Sequence, residues 1–181
     1  MQRKLADHEL YHPAEDTFFF SKHLINEFGQ NALDIGTGSG YLARILSKNF
    51  ENVVATDINF NALNSQNPKL PNCVCCENVD ALRFQFDLIV CNMPYLPSKE
   101  ISDQTVDGGI DGIEVPLKII KSAYNMLDKN GKFQFLTSSL ANYHKILEKT
   151  KMLGYDVCIV ARKKLFFEEL ILIEARVKKD D

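Results

Sequence analysis

The stretch VCNMPYLP (90–97) sets Asn92, Met93, Pro94 and Tyr95 directly behind the apolar run FDLIV (86–90). Proline has no N–H and a fixed φ, so a buried strand must stop there. The residues around that stop suit one task, the presentation of a planar NH2 group to an electrophile. A primary amide nitrogen is a weak nucleophile because its lone pair is delocalised, and it carries two N–H donors that must be held. The side-chain oxygen of Asn92 can accept one donor and the backbone carbonyl of Met93 the other. Pro94 stiffens the turn that aims the carbonyl, and Tyr95 can stack on the planar group. A turn that merely ends a strand accounts for Pro94, but not for an acceptor and a ring beside it.

A donor for such a nitrogen can be sought in DIGTGSG (34–40), where Gly36, Gly38 and Gly40 are spaced G-x-G-x-G between an apolar run and a helical pattern. Glycines there let backbone N–H groups approach a ligand. A dinucleotide fingerprint needs Gly or Ala at position 41, where Tyr41 stands. Asp34 at the strand end suits a cationic ligand, and S-adenosylmethionine carries a sulfonium and an ammonium but no phosphate. Asp57, with Ile58 beside it, ends the next strand, where an acid can take both ribose hydroxyls. Asp80, with Ala81 beside it, follows the third strand, where an acid can accept from an adenine amino group. Each acid alone reads as readily as a helix cap. Three of them ending consecutive strands on one sheet edge converge on a single crevice.

The elements that must carry these residues alternate along the chain. Short apolar runs at 31–35, 52–56, 73–76, 86–91 and 132–138 read as buried strands, with helical periodicity at 40–50, 59–66 and 112–129 between them. That rhythm predicts right-handed βαβ units around a parallel sheet. A helix over 140–152, stopped by Gly154, precedes two strands at 155–163 and 168–177, too closely joined to be parallel neighbours. The expected fold class is α/β, a Rossmann-like, seven-stranded, mostly parallel sheet closing in an antiparallel hairpin, with helices on both faces. A further helix is expected over 12–29, with Pro13, Glu15 and Asp16 at its start and Gly29 as its stop. Gly131 is expected to close the 112–129 helix at a positive φ, and the polar segment 98–112 reads as a mobile loop beside the site.

The 181 residues read as one domain, 1–181, with the helical segment 1–29 contributing to the cofactor site. A net charge of −3 and a pI near 5.8 turn expectation away from nucleic acid and toward a protein or small-molecule substrate. No apolar run approaches the roughly 20 residues of a membrane span, and MQRKLADHEL lacks a secretory core, so a cytoplasmic protein is expected. The five cysteines include a lone C-x-x-C, Cys73 and Cys76. With no second ligand pair the stretch reads as a thiol-rich strand, and no metal site is expected.

Taken together these residues resemble the class I methyltransferases that modify exocyclic or amide nitrogens, whose fourth-strand motif is Asn-Pro-Pro-Tyr. YHPAEDTFFFSKHL (11–24) is similar to the Pro-Ala-Glu-Asp-Thr-Phe segment of the short HemK-like proteins of archaea and eukaryotes. Those proteins methylate the glutamine of the Gly-Gly-Gln motif in class I release factors. The resemblance implies that Asp16 and Thr17 touch the cofactor, that Asp57 binds ribose and Asp80 the adenine amine, and that Asn92–Tyr95 grip the substrate amide. It also implies a small zinc-binding activator protein as partner. Met93 departs from the motif's second proline. The alternatives are a nucleic-acid adenine N6-methyltransferase, whose substrate poses the same two-hydrogen problem, and a non-catalytic subunit that only binds S-adenosylmethionine.

Overall fold

The computed structural model describes residues 13–103 and 105–178. Tyr11, His12 and the terminal 179–181 lie outside the described residues. Seven strands form one sheet in the order β3-β2-β1-β4-β7-β9-β8, where β1 is Gly29–Ile35, β2 Phe50–Asp57, β3 Cys73–Cys75, β4 Phe86–Asn92, β7 Leu127–Ser138, β8 Tyr155–Lys164 and β9 Glu169–Val177. The first five are parallel, and β9 runs antiparallel to both β7 and β8. This is the expected α/β architecture. The strand order reverses between β1 and β4, the switch point at which crevices open in such sheets.

Side chains alternate between two cores, as a period of two requires. Leu33, Ile89, Phe133, Phe135 and Ile171 pack with α4 (Glu114–Ala123) and α5 (Tyr143–Met152) on one face. Ala32, Leu88, Leu136 and Leu172 pack with α1 (Glu15–Leu24) and α2 (Tyr41–Leu46) on the other. Helix α1 buries Thr17, Phe20, Ser21 and Leu24, one stripe at helical spacing. The short α3 (Phe60–Ser65) follows β2, its first turn capped by the Asn59 side chain.

Several boundaries differ from expectation. Helix α1 starts at Glu15 and ends at Leu24, so Pro13 precedes it and Gly29 opens β1. Helix α2 ends at Leu46 because the buried Phe50 already begins β2. The helix expected to 129 stops at Ala123, a 3-10 turn covers Tyr124–Met126, and β7 begins at Leu127. Gly131 therefore lies within β7, where Phe86 pairs with Leu127 and Leu88 with Lys132, a bulge that takes up the intervening residues. What demands glycine there is close approach: a Cβ would stand 2.6 Å from the Phe86 carbonyl oxygen. The described residues of the 98–112 segment are tied down beside the site. Its strand β6 (Asp107–Gly109) pairs with β5 (Leu96–Pro97), and Asp107 accepts from the backbone N–H groups of Ser102 and Asp103.

Candidate functional site

The loop between β1 and α2 has Gly36, Gly38 and Gly40 at φ values of 68°, 51° and 78°. They serve two purposes. A Cβ on Gly36 or Gly38 would meet nothing within 4 Å, and both line a cavity of about 780 Å3 at the carboxyl edge of the sheet. Gly40 lies off the cavity lining, and a Cβ there would press on Leu70 at 2.9 Å. Beneath the loop, Asp34 accepts from the Thr37 hydroxyl (2.7 Å) and the Ala43 N–H (3.1 Å) through one oxygen. Burial pushes its pKa up from 3.8 to about 7, against those two hydrogen bonds.

Asp57 reaches the loop from the neighbouring strand. One carboxylate oxygen accepts from Gly38 N–H and the other from Asn59 N–H, each at 2.8 Å. Each oxygen keeps a second acceptor position. Ile58 follows it onto the cavity wall, half exposed, together with exposed Phe60. Asp80 and Ala81 are not on that wall. The chain turns just after β3, with Asp80 N–H donating to the Glu77 carbonyl, so both residues are exposed and Glu77 and Asn78 take the position instead.

Asn92 ends β4 on the wall of the same cavity. Its amide nitrogen donates to an Asp16 carboxylate oxygen at 3.1 Å, while Asp16 accepts on its other oxygen from Thr17. A carboxylate only accepts, so this contact fixes which way the Asn92 amide is turned. The Asn92 side-chain oxygen is left buried and without a hydrogen-bond partner among the described residues. Thus α1 brings Asp16 and Thr17 to the cavity, and Asp16 also orients Asn92.

Met93, Pro94 and Tyr95 line the same cavity. Met93 is anchored by a side chain 2% exposed in the core and by an N–H that donates to the Leu136 carbonyl at 3.2 Å. Proline could not make that bond, so packing and pairing replace ring rigidity here. Behind Tyr95, Gly112 (φ 66°) is packed so tightly that a Cβ would overlap the Tyr95 carbonyl.

The strand-end counting that located Asp34, Asp57 and Asn92 missed residues delivered by other elements. Tyr41, the residue that broke the dinucleotide fingerprint, lines the cavity and meets the Phe18 ring of α1 edge-on at 5.4 Å. Lys118 from α4 and Glu168 from the turn before β9 also line it, with no local sequence signal to mark either. Among the described lining residues there are seven acidic side chains and one lysine.

S-adenosylmethionine fits this donor set. The cavity offers acids to a sulfonium and an ammonium, the Asp57 acceptors to a ribose, and the Ile58 and Phe60 surfaces to a base. Its volume lies within the range of roughly 300–1,000 Å3 that small-molecule sites occupy. Among the described residues no group of three His, Cys, Asp or Glu gathers as metal ligands, and the five cysteines are free thiols. No helix among the described residues is long and apolar enough to cross a membrane.

The comparisons with known proteins point the same way. The chain is 37% identical, over 92% of its own length and 91% of the relative's, to a Methanocaldococcus jannaschii protein named "putative protein N5-glutamine methyltransferase". It is 34% identical over 119 residues to a Bradyrhizobium diazoefficiens release factor glutamine methyltransferase, a match covering 54% of this chain and 40% of that one. Its fold matches the E. cuniculi Mtq2-Trm112 complex, described as responsible for methylating the termination factor eRF1. That match has a TM-score of 0.79 and 25% identity, and covers 93% of this chain and 98% of the other. The family model "Methyltransferase small domain" matches residues 15–167, a span that holds the glycine loop and both ends of β4, and the chain belongs to that family.

Proposed function

We propose that this chain is an S-adenosylmethionine-dependent methyltransferase whose acceptor is the side-chain amide nitrogen of a glutamine in a translation release factor. One observation carries the reading. Asn92 is turned by Asp16 so that a buried, partnerless oxygen remains beside the glycine loop. A buried acceptor without a donor is costly, about 1–3 kcal/mol, unless a ligand supplies one. A primary amide is such a ligand.

The cofactor, when bound, supplies a methyl group on a positively charged sulfur. Gly36 and Gly38 give its carbon skeleton room, and Asp57 takes the ribose. Asn92 accepts one N–H of the target amide and the Met93 carbonyl accepts the other, while Tyr95 stacks on the amide plane. With both hydrogens held, the nitrogen lone pair has one direction left. Fixing reactants in this way contributes up to roughly 7–11 kcal/mol in the best intramolecular cases. The methylated nitrogen is strongly acidic and releases its surplus proton to water, so no strong base is required of the chain.

The acidic lining supports a protein acceptor over the nucleic-acid alternative. A lining with seven acidic side chains, Asp34 being the one whose proton burial retains to about pH 7, against one lysine disfavours phosphates, whereas nucleic-acid sites are rich in Lys and Arg. By analogy with the Mtq2-Trm112 complex, we also propose a small partner subunit for this chain, zinc-binding as in the sequence resemblance.

The test is incubation of the full chain, alone and with a candidate small partner, with labelled methyl donor and four acceptors: release factor, DNA, RNA and histone. Label is expected on a release-factor glutamine. Label on nucleic acid alone would establish the adenine enzyme instead, and donor binding without transfer to any acceptor would point to a binding subunit.

A further inference from the structure

The turn between β8 and β9 has no role in the chemistry above, yet it is the most exposed apolar point of the described chain. Phe166 and Phe167 are 92% and 87% accessible, and their rings meet edge-on at 4.6 Å. They are the central residues of a closed turn, since Leu165 N–H donates to the Glu168 carbonyl at 2.8 Å. The base of the turn is pinned to the end of β7. Ser139 N–H donates to the Glu169 carbonyl, and Glu169 N–H donates to the Ser139 hydroxyl. Two aromatic rings held in water on a fastened turn are already ordered for contact, which lowers the entropy cost of binding.

Glu168 connects this tip to the reaction site. It lines both the main cavity and the small depression under the tip, and its Oε2 is buried without a hydrogen-bond partner among the described residues. Strand order places it beyond β7, on the Asn92 side of the sheet and away from Asp57 and β3. A carboxylate in that place accepts N–H groups. The main chain beside the target glutamine is a source of them.

We infer that Phe166, Phe167 and Glu168 form the docking element for the protein substrate: the two rings cover its apolar surface beside the target glutamine, and Glu168 accepts from its main-chain N–H groups. This rests on the proposed acceptor being a protein. Charge favours that occupant, because the cavity the tip adjoins is acidic and two of the three cations next to the tip, all but Lys164, are engaged by carboxylates. Arg162 pairs with Glu169 at 2.6 Å and lies over the Tyr143 ring, and Lys163 pairs with Glu15 at 3.7 Å. A phosphate backbone reaching past the tip would meet the acidic cavity, seven acidic side chains against one lysine.

Calorimetric titration of the full chain, saturated with S-adenosylhomocysteine, with intact release factor and separately with single-stranded RNA, tests the inference without requiring turnover. Wild type is expected to bind the release factor, F166S/F167S to bind it about tenfold or more weakly, and E168A about threefold or more weakly. The affinity of F166S/F167S for S-adenosylhomocysteine should match wild type within about twofold, and E168A, whose residue lines the main cavity, should keep the wild-type thermal unfolding midpoint without ligand, which separates docking from damage to the fold. Release-factor binding unweakened in both variants overturns this inference and leaves the proposed reaction standing. A wild type that binds no release factor overturns the reaction itself. RNA bound by wild type and lost in F166S/F167S assigns the tip to nucleic acid and also overturns the inference.

Discussion

The two halves of the sheet's carboxyl edge are finished differently. On the β1–β2 half, Asp34 and Asp57 are tied down by loop hydrogen bonds, so the acids and the loop hold one another in place. On the β4–β9 half, Asn92 and Glu168 each keep a buried oxygen without a donor among the described residues. On the first half the acids are held by the protein alone, an arrangement that suits a small ligand always of one shape, and the buried polar atom there without a partner among the described residues is the Thr56 hydroxyl. The second is short of hydrogen-bond donors, and its partner must bring them. In the proposed reaction, preorganisation on one side and unmet acceptors on the other would separate donor binding from acceptor recognition.

The sharpest way to break the contrast is to remove Asn92. N92A should lower methyl transfer by about 10³-fold or more while the dissociation constant for S-adenosylhomocysteine, read by calorimetry, changes by less than about threefold. A variant with preserved transfer would detach the reaction from this residue. On the opposite half, Asp34 allows a stability test. Its pKa is raised from 3.8 to about 7 by burial, so between those values the folded chain keeps a proton that the unfolded chain has lost. Stability contributed here therefore falls as pH rises from about 4 to about 7. D34N removes the ionisation and should gain on wild type over that window, by as much as about 4 kcal/mol in urea unfolding. Parallel wild-type and variant curves across pH would contradict it.

D57A should weaken S-adenosylhomocysteine by about 100-fold, since the Gly38 and Asn59 N–H groups lose their acceptor along with the ribose. Comparable weakening by N92A would erase the distinction between the halves. Smallest is the effect at the joint between them. In D16N the carboxamide can face Asn92 either way round, so the amide loses its single orientation. The expected outcome is a kcat about tenfold lower at saturating donor with donor affinity within about threefold. If Asp16 acted only on the cofactor, donor affinity would fall and kcat at saturation would hold.

Much of this was legible in sequence because it is local. Apolar runs at regular intervals announce parallel strands, and acids or an amide at the ends of such runs must share an edge once the sheet forms. Asp34, Asp57 and Asn92 follow from that alone. Asp80 and Ala81 did not, since counting beyond β3 ignored a turn that reverses the chain within a few residues. Gly131 looked like a helix stop because glycine after a polar run suits both a cap and a bulge, and only the proximity of the Phe86 carbonyl decides. The Asp16–Asn92 contact spans 76 residues and Glu168 arrives from the last hairpin, so neither leaves a mark in any short window.

Helix α1 touches both halves at once. Asp16 holds the Asn92 amide, Phe18 rests on Tyr41 behind the glycine loop, and Glu15 reaches across to Lys163 of β8. Ten residues thus act as a clasp over a seam the strands leave open. Loosen the clasp, and a well-formed sheet would still stand beneath two half-sites that no longer share a frame of reference.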